Sequence, residues 1–175
     1  METTIFISHD GRPAIRIERA LPHSVVRMWD ALTKPEQSRT WFPSELTVEP
    51  RVGGVVGFAG DPHMPNSVGT VLAIEPPRLL SFTWGGNELR FELRAVSDQQ
   101  VDRVLTNVLE AENEAARNAA GWDVCLTELE RYVNGVESGG PHGTSALSWQ
   151  ERYEHFVALG IPAGAEVPGA ARVEP

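Results

Sequence analysis

The sequence predicts an α+β fold: a curved antiparallel sheet wrapped around one long C-terminal helix, with a short extra helix after it. Three observations predict it. Residues 67–108 alternate apolar and polar side chains, with glycine or proline turns between the runs, which is the period of a sheet with one dry face. Residues 112–133 switch to helical spacing, and Asn134-Gly135 supplies a stop. Ser148-Trp149-Gln150-Glu151 has the capping-box pattern and opens a second, shorter apolar stripe.

Composition bounds the answer. The chain has 175 residues, 41% hydrophobic and 22% charged, enough for one substantial core. A net charge of −9 opposes binding to a phosphate backbone or a polybasic contact with a membrane. No run of about 18 apolar residues occurs, so no membrane insertion is expected. Met1-Glu2-Thr3-Thr4 lacks the basic and apolar regions of a secretion signal, and the single Cys125 forms no internal disulfide. A cytoplasmic protein is expected. The expected division is 1–137 for the sheet-and-helix domain and 138–175 for a linker, a short amphipathic helix and a tail.

The elements follow in order. Thr4–Ser8 is open between a short strand and a flexible lead. Ile15–Leu21 reads as a half-buried strand. Ser24 caps a helix carrying Val25, Met28, Trp29 and Leu32, and Pro35 starts another turn that ends before Pro43. Leu46–Val48 and Val55–Phe58 flank Gly53-Gly54 as a hairpin. Residues 60–66 read as an irregular loop. Ser67–Glu75 is a strand with Val68, Thr70, Leu72 and Ile74 expected on one face. Leu80, Phe82 and Trp84 alternate next, then Leu89, Phe91 and Leu93 against Arg90, Glu92 and Arg94, for which cross-strand charge pairs are expected. Val101–Val108 is a strand whose inward face the pattern leaves open.

The long helix buries Ala115, Ala119, Trp122, Leu126, Leu129 and Val133. Its first half is small and its second half bulky. Small residues either leave a ligand cavity under the sheet or let the helix approach it closely, and the pattern alone leaves both open. Gly121 fits a close backbone contact, since glycine in a helix costs about 1 kcal/mol relative to alanine. Trp41 and Phe42 either gate a cavity mouth or anchor packing. Residues 138–145 form a Gly/Ser linker. The last helix carries Trp149, Tyr153, Phe156 and Val157 and must dock on this domain or on a second copy, which leaves a homodimer open. Residues 162–175 read as a loosely held tail.

Chemistry is sparse. The histidines His9, His23, His63, His142 and His155 show no i,i+4 pair, HExxH or CxxC, so no metal site is expected. His9-Asp10 and Asp61-x-His63 read as surface pairs, and Cys125 as a buried inert thiol. No complete catalytic set and no cofactor motif is present.

The run Trp29-Asp30-Ala31-Leu32-Thr33-Lys34-Pro35-Glu36, then Trp41, Arg51-Val52-Gly53-Gly54, Gly69-Thr70-Val71, Ile74-Glu75-Pro76-Pro77-Arg78-Leu79, Phe82-Thr83-Trp84 and Gly121-Trp122 carry a resemblance. Over about residues 13–135 the chain resembles the AHSA-like branch (activator of heat-shock-protein ATPase homologues) of the START superfamily, also called SRPBCC or birch-pollen-allergen-like. The resemblance implies a helix-grip fold with an internal apolar cavity. It transfers no catalytic residue. In the branch's named members chaperone activation depends on an additional N-terminal domain, for which the sequence before Ile15 leaves no room. The expected function is therefore to bind or carry a small hydrophobic molecule. The expected ligand residues are Trp41, Phe58, Thr70, Phe82, Trp84, Phe91, Ala115, Asn118, Ala119 and Trp122. An enzyme of the polyketide cyclase or aromatase type and a chaperone-associated partner module are the alternatives. The first needs an acid and a base in the cavity, and the second an exposed patch outside it.

Overall fold

The computed structural model of the chain describes residues 3–167. The chain opens with a hairpin because Asp10 and Gly11 take φ of 51° and 80°, the left-handed pair that a two-residue turn requires. That turn makes Thr4–Ser8 part of a true strand, β1 (Thr3–His9), paired with β2 (Arg12–Leu21). Helix α1 (Val25–Thr33) starts where Ser24 Oγ accepts the Arg27 N–H at 3.2 Å. Helix α2 (Pro35–Ser38) follows with proline at its start. Six strands come next: β3 (Glu45–Val48), β4 (Val55–Ala59), β5 (Ser67–Glu75), β6 (Leu79–Trp84), β7 (Asn87–Ser97) and β8 (Gln100–Val108). A 3₁₀ turn (Glu112–Glu114) leads into α3 (Ala115–Val133), and α4 (Trp149–Ala158) is last.

The described residues form one antiparallel sheet of eight strands in the order β1-β2-β8-β7-β6-β5-β4-β3. The chain leaves β2 and crosses through α1 and α2 to the far edge. It then returns strand by strand until β8 closes beside β2. The α3 stripe expected from the sequence is buried throughout and joins the sheet's inner face in one core. This is the expected α+β helix-grip arrangement.

The inward face of β8, open in the sequence, is Val101, Arg103, Leu105 and Asn107. Arg103 meets Glu130 of α3, and Asn107 meets Trp122 of α3. Val104 and Thr106 lie on the outer face yet are also buried. Thr106 is flanked by Arg16 and Arg90, and Val104 by Glu18 and Glu92, whose long stems cover the middle of the sheet. The ion pairs described there run along single strands, Arg16–Glu18 at 2.6 Å and Arg90–Glu92 at 3.5 Å. That corrects the expected cross-strand pairing. A residue two places along the same strand and the same face is the nearer opposite charge.

Strand β5 departs most from its pattern. Val68, Thr70 and Leu72 are exposed and Val71 is fully buried, while Ile74 packs against the core, so the first part of the strand turns inward the face opposite to that expected. The register shifts between Val71 and Ala73. The inward places before the shift go to Gly69 and Val71. A Cβ on Gly69 would come within 2.0 Å of the Thr83 carbonyl, so glycine takes the crowded place.

The last segment is tied to the rest of the chain. Helix α4 lies on α3, with Phe156 buried and Trp149 stacked on Tyr153 at 5.1 Å. Arg152 forms an ion pair with Asp123, whose carboxylate is almost fully buried. The expected docking surface is therefore this chain's own α3. Residues 162–167 correct the expectation of a loose tail, while residues 168–175 lie outside the described residues. The Pro162 carbonyl accepts the Ala116 N–H at 2.8 Å, and the Glu166 carbonyl accepts from Arg117 Nη1 at 2.6 Å. Ala116 sits in the first turn of α3, where a backbone N–H has no helical partner, so the tail caps the helix. The linker is likewise held: Ser138 Oγ lies 2.8 Å from the Thr40 carbonyl and 2.6 Å from Glu128 Oε2.

Arg152→Ala should lower stability by about 2 kcal/mol, because it strands a buried carboxylate. Urea denaturation checks this, and an unchanged midpoint would mean that α4 is not anchored through Asp123.

Candidate functional site

An aromatic stack lies under the centre of the sheet. Phe42 is its hub, with ring centroids 5.6 Å from Trp84, 5.7 Å from Trp122 and 6.2 Å from Phe58. Trp41 donates its indole N–H to the Ala31 carbonyl at 2.8 Å and is completely buried. It is the packing anchor among the roles open to it. Trp84 ends β6 and Trp122 sits mid-α3, with centroids 5.6 Å apart and planes at 61°.

Asn107 holds Trp122 in place. Its Oδ1 accepts from Trp122 Nε1 at 3.0 Å and from Asn118 Nδ2 at 3.3 Å. Its Nδ2 donates to the Glu88 and Val108 carbonyls. A buried amide with both ends satisfied fixes ring orientation as well as position.

Above Trp84 and Trp122 opens a cleft of about 560 Å³. That is within the range of small-molecule sites. Its walls are the outer face of α3, the β4–β5 loop, the linker after α3 and Trp149 of α4. Gly121 lies on its α3 wall. A Cβ there would meet only Trp149 Nε1, at 4.0 Å. The backbone contact expected of Gly121 is therefore absent, and what the missing side chain does is leave the cleft open. Cys125 also lines the wall. Burial, aided by Asp61 and Glu128, pushes its thiol well above the ordinary range, so it is a poor nucleophile.

The structure brings together three of the residues expected at the site: Trp84, Asn118 and Trp122 line the cleft. Trp41, Phe58, Phe82 and Phe91 lie buried in the stack with it, Phe82 and Phe91 6.3 Å apart and Phe91 6.4 Å from Trp122. Ala115 and Ala119 are fully buried in the core. Thr70 is corrected to the exposed side of β5, for the packing reason given above. The expected space between the alanines and Phe82, Trp84 and Phe91 thus holds interlocked rings. The cleft begins beyond them, on the far side of Trp84 and Trp122. Arg103, also on the inner face of β8, is paired with Glu130 3.6 Å away, toward the other end of α3.

Sequence reasoning missed Asp61, His63 and His142. Asp61 and His63 read as a surface pair and His142 as part of the linker, yet the three share the cleft's rim. The His63 and His142 rings lie 5.4 Å apart. His142 Nε2 is 3.0 Å from the Pro43 carbonyl and 4.0 Å from Asp61 Oδ1. No local signal joins them, since a Gly/Ser run gives no hint that it folds back on a loop. Among the described residues no group of His, Cys, Asp and Glu is arranged to hold a metal ion, and no helix is long and apolar enough to cross a membrane.

A family model described as Activator of Hsp90 ATPase homolog 1-like protein matches residues 22–134. No curated protein matches the sequence. Several solved structures share the fold. EF2215 from Enterococcus faecalis, a conserved protein of unknown function, is 20% identical over 89% of each chain with a TM-score of 0.74. CalU16 from Micromonospora echinospora is 25% identical, over 91% of this chain and 96% of that one, with a TM-score of 0.69. DynU16, from the dynemicin biosynthetic locus, is 19% identical, over 69% of this chain and 47% of that one, with a TM-score of 0.57.

Asn107→Ala should cost about 2–3 kcal/mol, since it leaves the buried Trp122 N–H without an acceptor. Tryptophan emission should shift to the red as the ring loosens. Stability and emission both equal to the parent's would remove Asn107 from its orienting role.

Proposed function

The chain belongs to the Activator of Hsp90 ATPase homolog 1-like family, and on that basis we propose that it binds a small hydrophobic molecule, aromatic in character, in the cleft over Trp84 and Trp122. The observation that carries the reading is a cleft of about 560 Å³ lined by the indole rings of Trp84, Trp122 and Trp149, with Trp122 fixed by a buried hydrogen bond. Rigid aromatic walls lose little entropy when a ligand stacks on them. Asn118 supplies a polar group at the edge. Of the other residues expected at the site, Trp41, Phe58, Phe82 and Phe91, with Ala115 and Ala119, are proposed to support these walls rather than touch the ligand. No group in this reading performs chemistry, so the function is binding or carriage.

One observation favours a second reading, a partner-binding module. Val68 is 74% exposed, and Val52, Val55 and Leu72 are also exposed around β4 and β5. Val55 pairs with Thr70, which places Val68 and Leu72 diagonally beside it on one outer face. Such a stripe, away from the cleft, suits a protein partner such as a chaperone.

N-phenyl-1-naphthylamine, whose fluorescence rises in apolar sites, should bind with a Kd of about 1–10 μM. Gly121→Leu should weaken it at least about tenfold by filling the cleft. The variant should fold at least as well as the parent, since leucine is the better helix former. Equal affinity in parent and variant would remove the cleft as the site.

A further inference from the structure

His142 is fixed in a way that decides what its free nitrogen can do. The Pro43 carbonyl can only accept, so the 3.0 Å contact requires a proton on Nε2. Asp61, 4.0 Å away on the same side, favours that proton's position. A neutral imidazole carries one N–H, so Nδ1 is left with a lone pair. Among the described residues no partner bonds to Nδ1. The ring lines the same cleft as Trp84 and Trp122, and His63 flanks it at 5.4 Å. An acceptor on the rim of an aromatic cleft selects a ligand that carries both a flat ring and a hydroxyl donor.

We propose that His142 recognises a phenolic hydroxyl, so that the ligand class is a hydroxylated aromatic whose ring lies over Trp84 and Trp122 and whose O–H donates to His142 Nδ1. The proposal rests on the cleft being the ligand site. It goes further by giving the ligand a polar group and the linker a role in selection. Net charge supports a neutral donor over an anion: the chain carries −9, and Asp61 stands beside the histidine. The linker also gains a reason to fold back, because it brings a neutral ring-nitrogen acceptor to the cleft beside the Asp61 carboxylate.

The test compares 2-naphthol with 2-methoxynaphthalene at about pH 7.5, where both are neutral. The two share a ring system, and only the first has a donor. In the parent protein 2-naphthol should bind about five- to tenfold tighter, the value of one neutral hydrogen bond. In His142→Gln the ratio should fall to about one. Glutamine's amide nitrogen can replace Nε2 against Pro43, so the linker stays in place, while its carbonyl oxygen sits one bond further from the backbone than Nδ1 and leaves no acceptor at the Nδ1 position. A parallel measurement needs no variant: the Nδ1 resonance of ¹⁵N-histidine-labelled parent should move with 2-naphthol and stay still with the methyl ether. Equal affinities in the parent, or a ratio that survives in His142→Gln, would overturn the histidine's role while leaving the cleft reading intact. If neither compound binds, or Gly121→Leu weakens neither, the cleft reading itself fails and takes this proposal with it.

Discussion

The hydrogen bond from Trp122 Nε1 to Asn107 Oδ1, 3.0 Å long and buried, is the constraint on which the site depends. A polar group in the core must be satisfied, and Asn107 satisfies four at once: an indole, a second asparagine and two strand carbonyls. That fixes α3 against β8 at one register and one rotation. With the helix so placed, Ala115 and Ala119 face the core, Glu130 reaches Arg103, and Gly121 comes to the surface beside Trp149. An apolar contact in place of Asn107 would permit sliding, whereas a directional bond does not.

Around that bond the molecule divides into two layers. Beneath Trp122 the rings of Phe42, Phe58, Phe82 and Phe91 interlock at centroid distances of about 6 Å, in a mixture of stacked, tilted and edge-on arrangements. Above it the chain supplies walls from segments far apart in sequence: the β4–β5 loop, the linker and α4. Stabilising the fold and shaping a cleft are thus assigned to opposite sides of the same side chains. Residues 138–167 belong to the second task as much as to the first. The tail caps α3 through Pro162, α4 anchors on Asp123, and the linker presents His142.

Much of the fold was legible in the sequence, because period and punctuation report it directly. The α3 stripe, the Ser24 and Ser148 caps and the strand Ser67–Glu75 appear with the expected residues. The inward face of β5 was not legible. Val68 and Leu72 look like core residues, yet Gly69, crowded against the Thr83 carbonyl, and Val71 take the inward places before the register shift. The site was legible in part. Trp84, Asn118 and Trp122 follow from helix and strand phase. The rim of Asp61, His63 and His142 follows from a linker folding back on a loop, and no periodicity encodes that. Gly121 stands out in the sequence for its cost in a helix. Its use is open space, set by Trp149, a neighbour distant in the chain.

The five tryptophans provide the most direct measurement of the central claim, that the cleft takes an aromatic molecule over Trp84 and Trp122. Each gives one indole N–H signal in a ¹⁵N-correlation spectrum. On titration with N-phenyl-1-naphthylamine the signals of Trp84, Trp122 and Trp149, which line the cleft, should move together along one saturating curve. Trp29 and Trp41, which do not line it, should stay in place. Movement of Trp41 or Trp29 with no change at Trp84 and Trp122 would contradict the account.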